Sequence, residues 1–125
     1  MQVLGMDHLV LTVASVERTV AFYRDVLGLR AETFDDGRWA LHFGEQKFNL
    51  HEEGHEFEPK AARATPGSVD ICLVVATPIG SVVAELRAHG VPIVEGPVDR
   101  TGARGAIRSV YLRDPDGNLV ELANY

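Results

Sequence analysis

Glu121 stands in the strand-like run LVELA, where alternation puts Leu119, Glu121 and Ala123 on one face and Val120, Leu122 and Asn124 on the other. A carboxylate in so apolar a segment needs a partner, a cation or water. His8, at the head of HLVLTV, has one ring nitrogen available to a metal while the other can be held by an acceptor. Asp70 precedes the apolar run ICLVV, a costly place for a carboxylate unless it is hydrated, hydrogen-bonded or coordinated. His8, Asp70 and Glu121 together form a one-histidine, two-carboxylate set that would neutralise a divalent ion and leave positions open for water or substrate. Asn49 offers a weaker oxygen, as an outer group or a fourth ligand. His51 shares its strand face and is a further substrate-side candidate, although the turn into EEGHE favours solvent exposure for it. Each residue also has a structural reading: a salt bridge from Glu121 to a nearby arginine, a satisfied strand histidine at position 8, and backbone bonding by Asp70 at a strand entrance.

A second chemical stretch is GPVDRTGARGAIRS. Gly102 and Gly105 permit a compact loop, and Arg100, Arg104 and Arg108 offer positive charge for a carboxylate or phosphoryl substrate. The stretch lacks the lysine and spacing of a nucleotide-binding phosphate loop, so no nucleotide cofactor is expected. Tyr111, in the strand that follows, can exchange a proton with a ligand if it faces inward. Cys72 reads as a buried thiol rather than a nucleophile, and as the single cysteine it excludes an internal disulfide framework.

The elements that position these residues come in two series. Residues 7–13 read as a strand, Ser15 as a helix cap, and Val16, Val20, Tyr23 and Leu27 as a helical stripe ended by Gly28. Strands are expected at 29–34, 38–43 and 46–51. Residues 53–67 lose all periodicity and are expected to be a linker, solvated or acting as a lid. The order then repeats, with a strand at 69–75, a helix capped by Thr77 and Pro78 and ending at Gly90, and strands at 91–95, 107–113 and 118–123. Overlaying the series sets His8 against Asp70 and Asn49 against Glu121. The expected architecture is α+β: one domain of 125 residues, with a β-α-β-β-β module over 3–52 and another over 68–125.

The chain holds 12 Lys plus Arg against 18 Asp plus Glu, a net charge of −6, which argues against nucleic acid or an anionic membrane as the partner. No apolar run approaches the length of a membrane span and the opening residues lack a secretory pattern, so a cytoplasmic location is expected.

The segments DHLVLTVASVERTVAFYRDVLGL and DPDGNLVEL resemble the glyoxalase, bleomycin-resistance and extradiol-dioxygenase family, the vicinal oxygen chelate superfamily. FNLHEEGHEFEPKA and EGPVDRTGARGAIRSVYLRDPDGN are similar to its small glyoxalase-domain members described as virulence proteins. The resemblance implies two modules forming a cupped mixed sheet, commonly in a homodimer. It also implies metal ligands at His8, Asp70 and Glu121, with Asn49 matching a fourth ligand position. Members with metal often carry histidine where Asp70 stands. The activity so implied is that of a metal-dependent lyase or isomerase using Mn, Fe, Ni or Zn on a small vicinally oxygenated or anionic metabolite. The family's alternatives are a metal-free antibiotic-binding protein, an extradiol dioxygenase and a thiol transferase.

Overall fold

A computed structural model describes residues 1–125, and its backbone divides into two compact units, Met1–Pro66 and Gly67–Tyr125. The first carries β1 (His8–Val13), α1 (Val16–Asp25), β2 (Arg30–Phe34), β3 (Arg38–Phe43) and β4 (Gln46–Glu52). The second carries β5 (Asp70–Val74), α2 (Ile79–Ala88), β6 (Glu95–Gly102), β7 (Gly105–Arg113) and β8 (Leu119–Asn124). The two series expected from the sequence are both present. Each unit folds one mixed sheet, ordered β1-β4-β3-β2 in the first and β5-β8-β7-β6 in the second. The strand before the helix pairs parallel to the last strand, and the other pairs are antiparallel.

Local chemistry explains the helices. Ser15 is extended and its hydroxyl accepts from the Arg18 N–H at 3.2 Å, satisfying one orphan donor of α1. Gly28, at φ 73°, ends that helix, and the Leu29 N–H returns to the Tyr23 carbonyl at 2.9 Å. Helix α1 buries Thr19, Val20 and Tyr23, and the Tyr23 ring meets Phe48 of β4 edge-on at 5.9 Å. Helix α2 buries Ile79, Val82, Val83 and Leu86. Its cap is Pro78 rather than Thr77, with no side-chain cap bond; the Pro78 carbonyl instead accepts from Ser81 and Val82. One face of each sheet is thus committed to its helix, Phe48 and Leu50 in β4 and Val120 and Leu122 in β8. The other face is available for chemistry.

Three expectations need correction. No strand occupies residues 91–95; β6 begins at Glu95 and runs through the arginine-bearing stretch expected to be a loop. Pro97 and Gly96, at φ 106°, fall at an irregularity between Glu95 and Val98, and the strand lies at the sheet edge, where neither a bulge nor a polar outer row is penalised. His51 is buried, at 7% exposure, rather than solvated. Phe57, from the aperiodic 53–67 segment, covers it at 5.4 Å between ring centroids, and the Arg38 guanidinium lies 3.8 Å over Phe57. Cys72 is exposed rather than buried.

The turn before β8 is locked internally. Asp114 Oδ1 accepts the backbone N–H groups of Asp116 and Asn118 at 2.9 and 3.0 Å, and Asp114 Oδ2 accepts from Asn118 Nδ2 at 2.8 Å. Asn118 Oδ1 in turn accepts the Val69 N–H at 2.9 Å, fixing the start of β5 to that of β8. This clamp sets Asp70 beside Leu119, two residues along the ladder from Glu121.

Candidate functional site

Register places the chemical side chains. Across the second sheet Glu95, Tyr111, Glu121 and Cys72 lie opposite one another in a row. The same row in the first sheet reads Glu32, Ala40, Asn49 and Val10. Asn49 and Glu121 are therefore equivalent positions. His8 and Asp70 are equivalent too, each two residues before the strand position that faces them, opposite Lys47 and Leu119. The pairing of positions expected from the repeat is present in the ladders.

The equivalent positions share an uncommon property. Asn49 Oδ1 and Glu121 Oε1 are both buried without a hydrogen-bond partner, and so is His51 Nδ1. Buried polar atoms are nearly always paired, so such atoms on the open face of a sheet point to a ligand. Burial, then the positive Arg38, holds the His51 imidazole below its usual pKa range, favouring a neutral ring.

His8 is exposed, and its Nδ1 lies 2.6 Å from Asp7 Oδ1. That bond holds the Asp7 carboxyl below its ordinary range and leaves Nε2 as the ring nitrogen open to another partner. Asp70 is exposed as well, which removes the desolvation cost anticipated for it.

A cavity of about 400 Å³ opens on the second sheet, lined among others by Cys72, Arg100, Ile107, Tyr111, Glu121 and Tyr125. Arg100 braces Tyr111: its Nε donates to the phenol oxygen at 3.2 Å, while its other nitrogens donate to Glu95 Oε1 at 3.0 Å and to the Asp99 carbonyl at 3.1 Å. Burial raises the phenol's pKa above its usual value despite this donor. Of the three arginines singled out, Arg100 alone lines the cavity with a side chain held next to Tyr111. Arg104 lies over the Tyr125 ring at 4.1 Å, and Arg108 is paired with Asp99 at 2.8 Å away from the lining. Tyr125 lines this cavity without having shown a pattern in the sequence.

Although the residue is exposed, partial desolvation of its sulfur, and then the Glu121 carboxylate, push the Cys72 thiol up to about 11. Because the folded chain holds this proton more tightly than the unfolded one, the associated stability is intact below the ordinary thiol range and is lost as pH climbs toward 11. Alkylation of Cys72 by iodoacetamide is expected to keep accelerating up to about pH 11. A plateau near pH 9 would show a thiol that feels neither desolvation nor Glu121.

The donors suit a divalent ion by type, one imidazole with carboxylate and amide oxygens. Nowhere in the chain do three or more His, Cys, Asp or Glu side chains gather so as to hold one.

Two βαβββ units, with unpartnered polar atoms at equivalent positions on their open faces, make an internally repeated design. Residues 5–122 match the model of the Glyoxalase/Bleomycin resistance protein/Dioxygenase superfamily, and the chain belongs to that superfamily. It is 58% identical over 120 residues to the virulence protein STM3117 of Salmonella typhimurium, covering 96% of this chain and 83% of that protein. The crystal structure of STM3117 superposes with a TM-score of 0.99, covering 100% of this chain and 99% of that one at 56% identity. The glyoxalase domain-containing protein RDO1 of Mycosarcoma maydis is 50% identical over 125 residues, covering 100% of this chain and 70% of that protein. The fold alone is shared with TnmS3, an antibiotic-binding protein from Streptomyces, at 20% identity, TM-score 0.77 and coverage of 99% and 98%. It is shared likewise with lactoylglutathione lyase from Agrobacterium tumefaciens, at 23% identity, TM-score 0.72 and coverage of 96% and 92%. No helix is long and apolar enough to cross a membrane.

Proposed function

We propose that the protein is a metal-dependent lyase or isomerase acting on a small, vicinally oxygenated metabolite, with His8, Asp70 and Glu121 as the ligands of a divalent ion. The observation that carries this reading is the pair of equivalent positions, Asn49 and Glu121, where Asn49 Oδ1 and Glu121 Oε1 are buried and unpartnered. An ion bound there would polarise adjacent substrate oxygens and stabilise negative charge developing on them. Asp7 holds the His8 ring through Nδ1 and leaves Nε2 free to ligate. Asn49 and His51 supply hydrogen-bonding groups to the substrate side. Tyr111, braced by Arg100, gives or takes the proton, since a ligating carboxylate is not free to act as base. Arg100, although paired with Glu95, is the one of the three arginines that lines the cavity beside Tyr111 and Glu121.

The reading includes a homodimer. Strands β1 and β5 end their sheets with one side of the ladder unpaired, and Val10 and Val74 are 40% and 59% exposed on them. Such edges invite pairing with a second copy.

Elemental analysis of gently purified protein is the test. Stoichiometric manganese, iron, nickel or zinc is expected, lost in both His8→Ala and Glu121→Ala, with sedimentation giving twice the chain mass at micromolar concentration. Unchanged metal content in both variants would defeat the assignment. A second reading, metal-free sequestration of a planar compound, is favoured by one feature: Tyr111, Tyr125 and Ile107 give the cavity an apolar, ring-rich lining. Saturable binding that survives complete metal removal would select it.

A further inference from the structure

Tyr125 follows β8 and is 49% exposed, yet the β6–β7 turn ties it down twice. The Arg104 backbone N–H donates to its phenol oxygen at 3.0 Å, and the Arg104 guanidinium lies 4.1 Å from its ring centroid. Room for the ring exists because residue 102 is glycine. A Cβ at that position would sit 2.7 Å from the Tyr125 hydroxyl oxygen and 2.9 Å from Ile107 Cγ2. Tyr125, Gly102 and Ile107 line the same cavity as Cys72 and Glu121. A missing side chain, a bonded hydroxyl and a stacked cation therefore act on one ring.

None of this is needed to hold β8 in place. Its ladder to β7 extends to Asn124, opposite Arg108, and the Asn124 amide donates to the carbonyls of Val75 and Thr77 at 2.6 and 2.9 Å. The contacts of Tyr125 are instead all with the hairpin that borders the cavity.

We infer that Tyr125 is a specificity-determining residue that walls the hairpin end of this cavity and limits the size of ligand able to reach Glu121. The inference rests on the reading of the cavity as the ligand site, but the wall itself depends on no metal. A compact ligand fits beside the ring, whereas one with an extended body collides with it, because a packed ring yields only by breaking its contacts with Arg104.

Cys72, the single cysteine, reports on this space because it lines the same cavity. The test compares its modification by methyl methanethiosulfonate and by a benzophenone-bearing methanethiosulfonate at one pH, so that the thiolate fraction cancels in the ratio of rates. Tyr125→Ala is expected to raise the bulky-to-small ratio about tenfold, and Tyr125→Phe, which keeps the ring under Arg104, by no more than about threefold. Gly102→Ala, which must push the ring aside while leaving it in the chain, is expected to raise the ratio as well. An unchanged ratio in both Tyr125→Ala and Gly102→Ala overturns the inference, even in a protein that binds metal stoichiometrically. Absence of metal would sink the proposed reaction and leave this ratio where it is.

Discussion

Glu121→Gln is expected to separate folding from binding: the metal-free variant melts at or above the wild-type temperature, while metal affinity falls at least about 100-fold. One carboxylate oxygen of Glu121 is buried without a partner, an arrangement that costs the folded state free energy. Glutamine keeps the shape and removes the charge, so this cost shrinks. The same change removes the anionic donor and lifts the repulsion that disfavours ionisation of Cys72. Thermal melts with and without added metal, together with metal titration, would measure both effects. A variant that melts well below wild type without metal would show Glu121 to be a structural residue, and the proposed centre would lose its main support.

Asn118→Ala should be the most damaging change to stability outside the apolar core, at roughly 2–4 kcal/mol. For a chain of this length the melting temperature would fall by on the order of 10 °C. The side chain is 2% exposed, and it bonds both to Asp114 Oδ2 and to the Val69 N–H. Alanine fills none of these roles and removes the Asn118 donor from Asp114 Oδ2. Since the Val69 bond also fixes the entry to β5, the loss should loosen Asp70 against β8. Thermal denaturation followed by circular dichroism would decide, and a fall below about 1 kcal/mol would mean that water replaces the amide without strain.

Much of this arrangement could be read from the residues. Alternation around Glu121 is unbroken, and the recurrence of capped helix and apolar strand was sufficient to pair His8 with Asp70 and Asn49 with Glu121, positions that the ladders place equivalently. What escaped has a common physical cause. His51 looks exposed from its neighbours in the chain and is covered only by Phe57, a contact made by an aperiodic segment and set by tertiary packing. Strand β6 carries too little apolar pattern to announce itself, because an edge strand of arginine and threonine needs only ladder bonds and one half-covered face. Arg108 differs from Arg100 by a register fact: Arg100 stands opposite Ile107 on the cavity side, while Arg108 stands opposite Asp99. Composition counts three equal cations where the hairpin makes them unequal.

The contrast between the two cross-strand rows has a consequence for how such a protein can change. Duplicating a frame lets one copy surrender its reactive groups while the other elaborates them, and here Ala40, Asn49 and Val10 stand where the second copy has Tyr111, Glu121 and Cys72. The row of ionisable groups then lies in the second half, with an amide, Asn49, in the matching place of the first. A new reaction could be written by exchanging three side chains on β5, β7 and β8, while the hydrophobic layer beneath, which faces the helices, is left as it is.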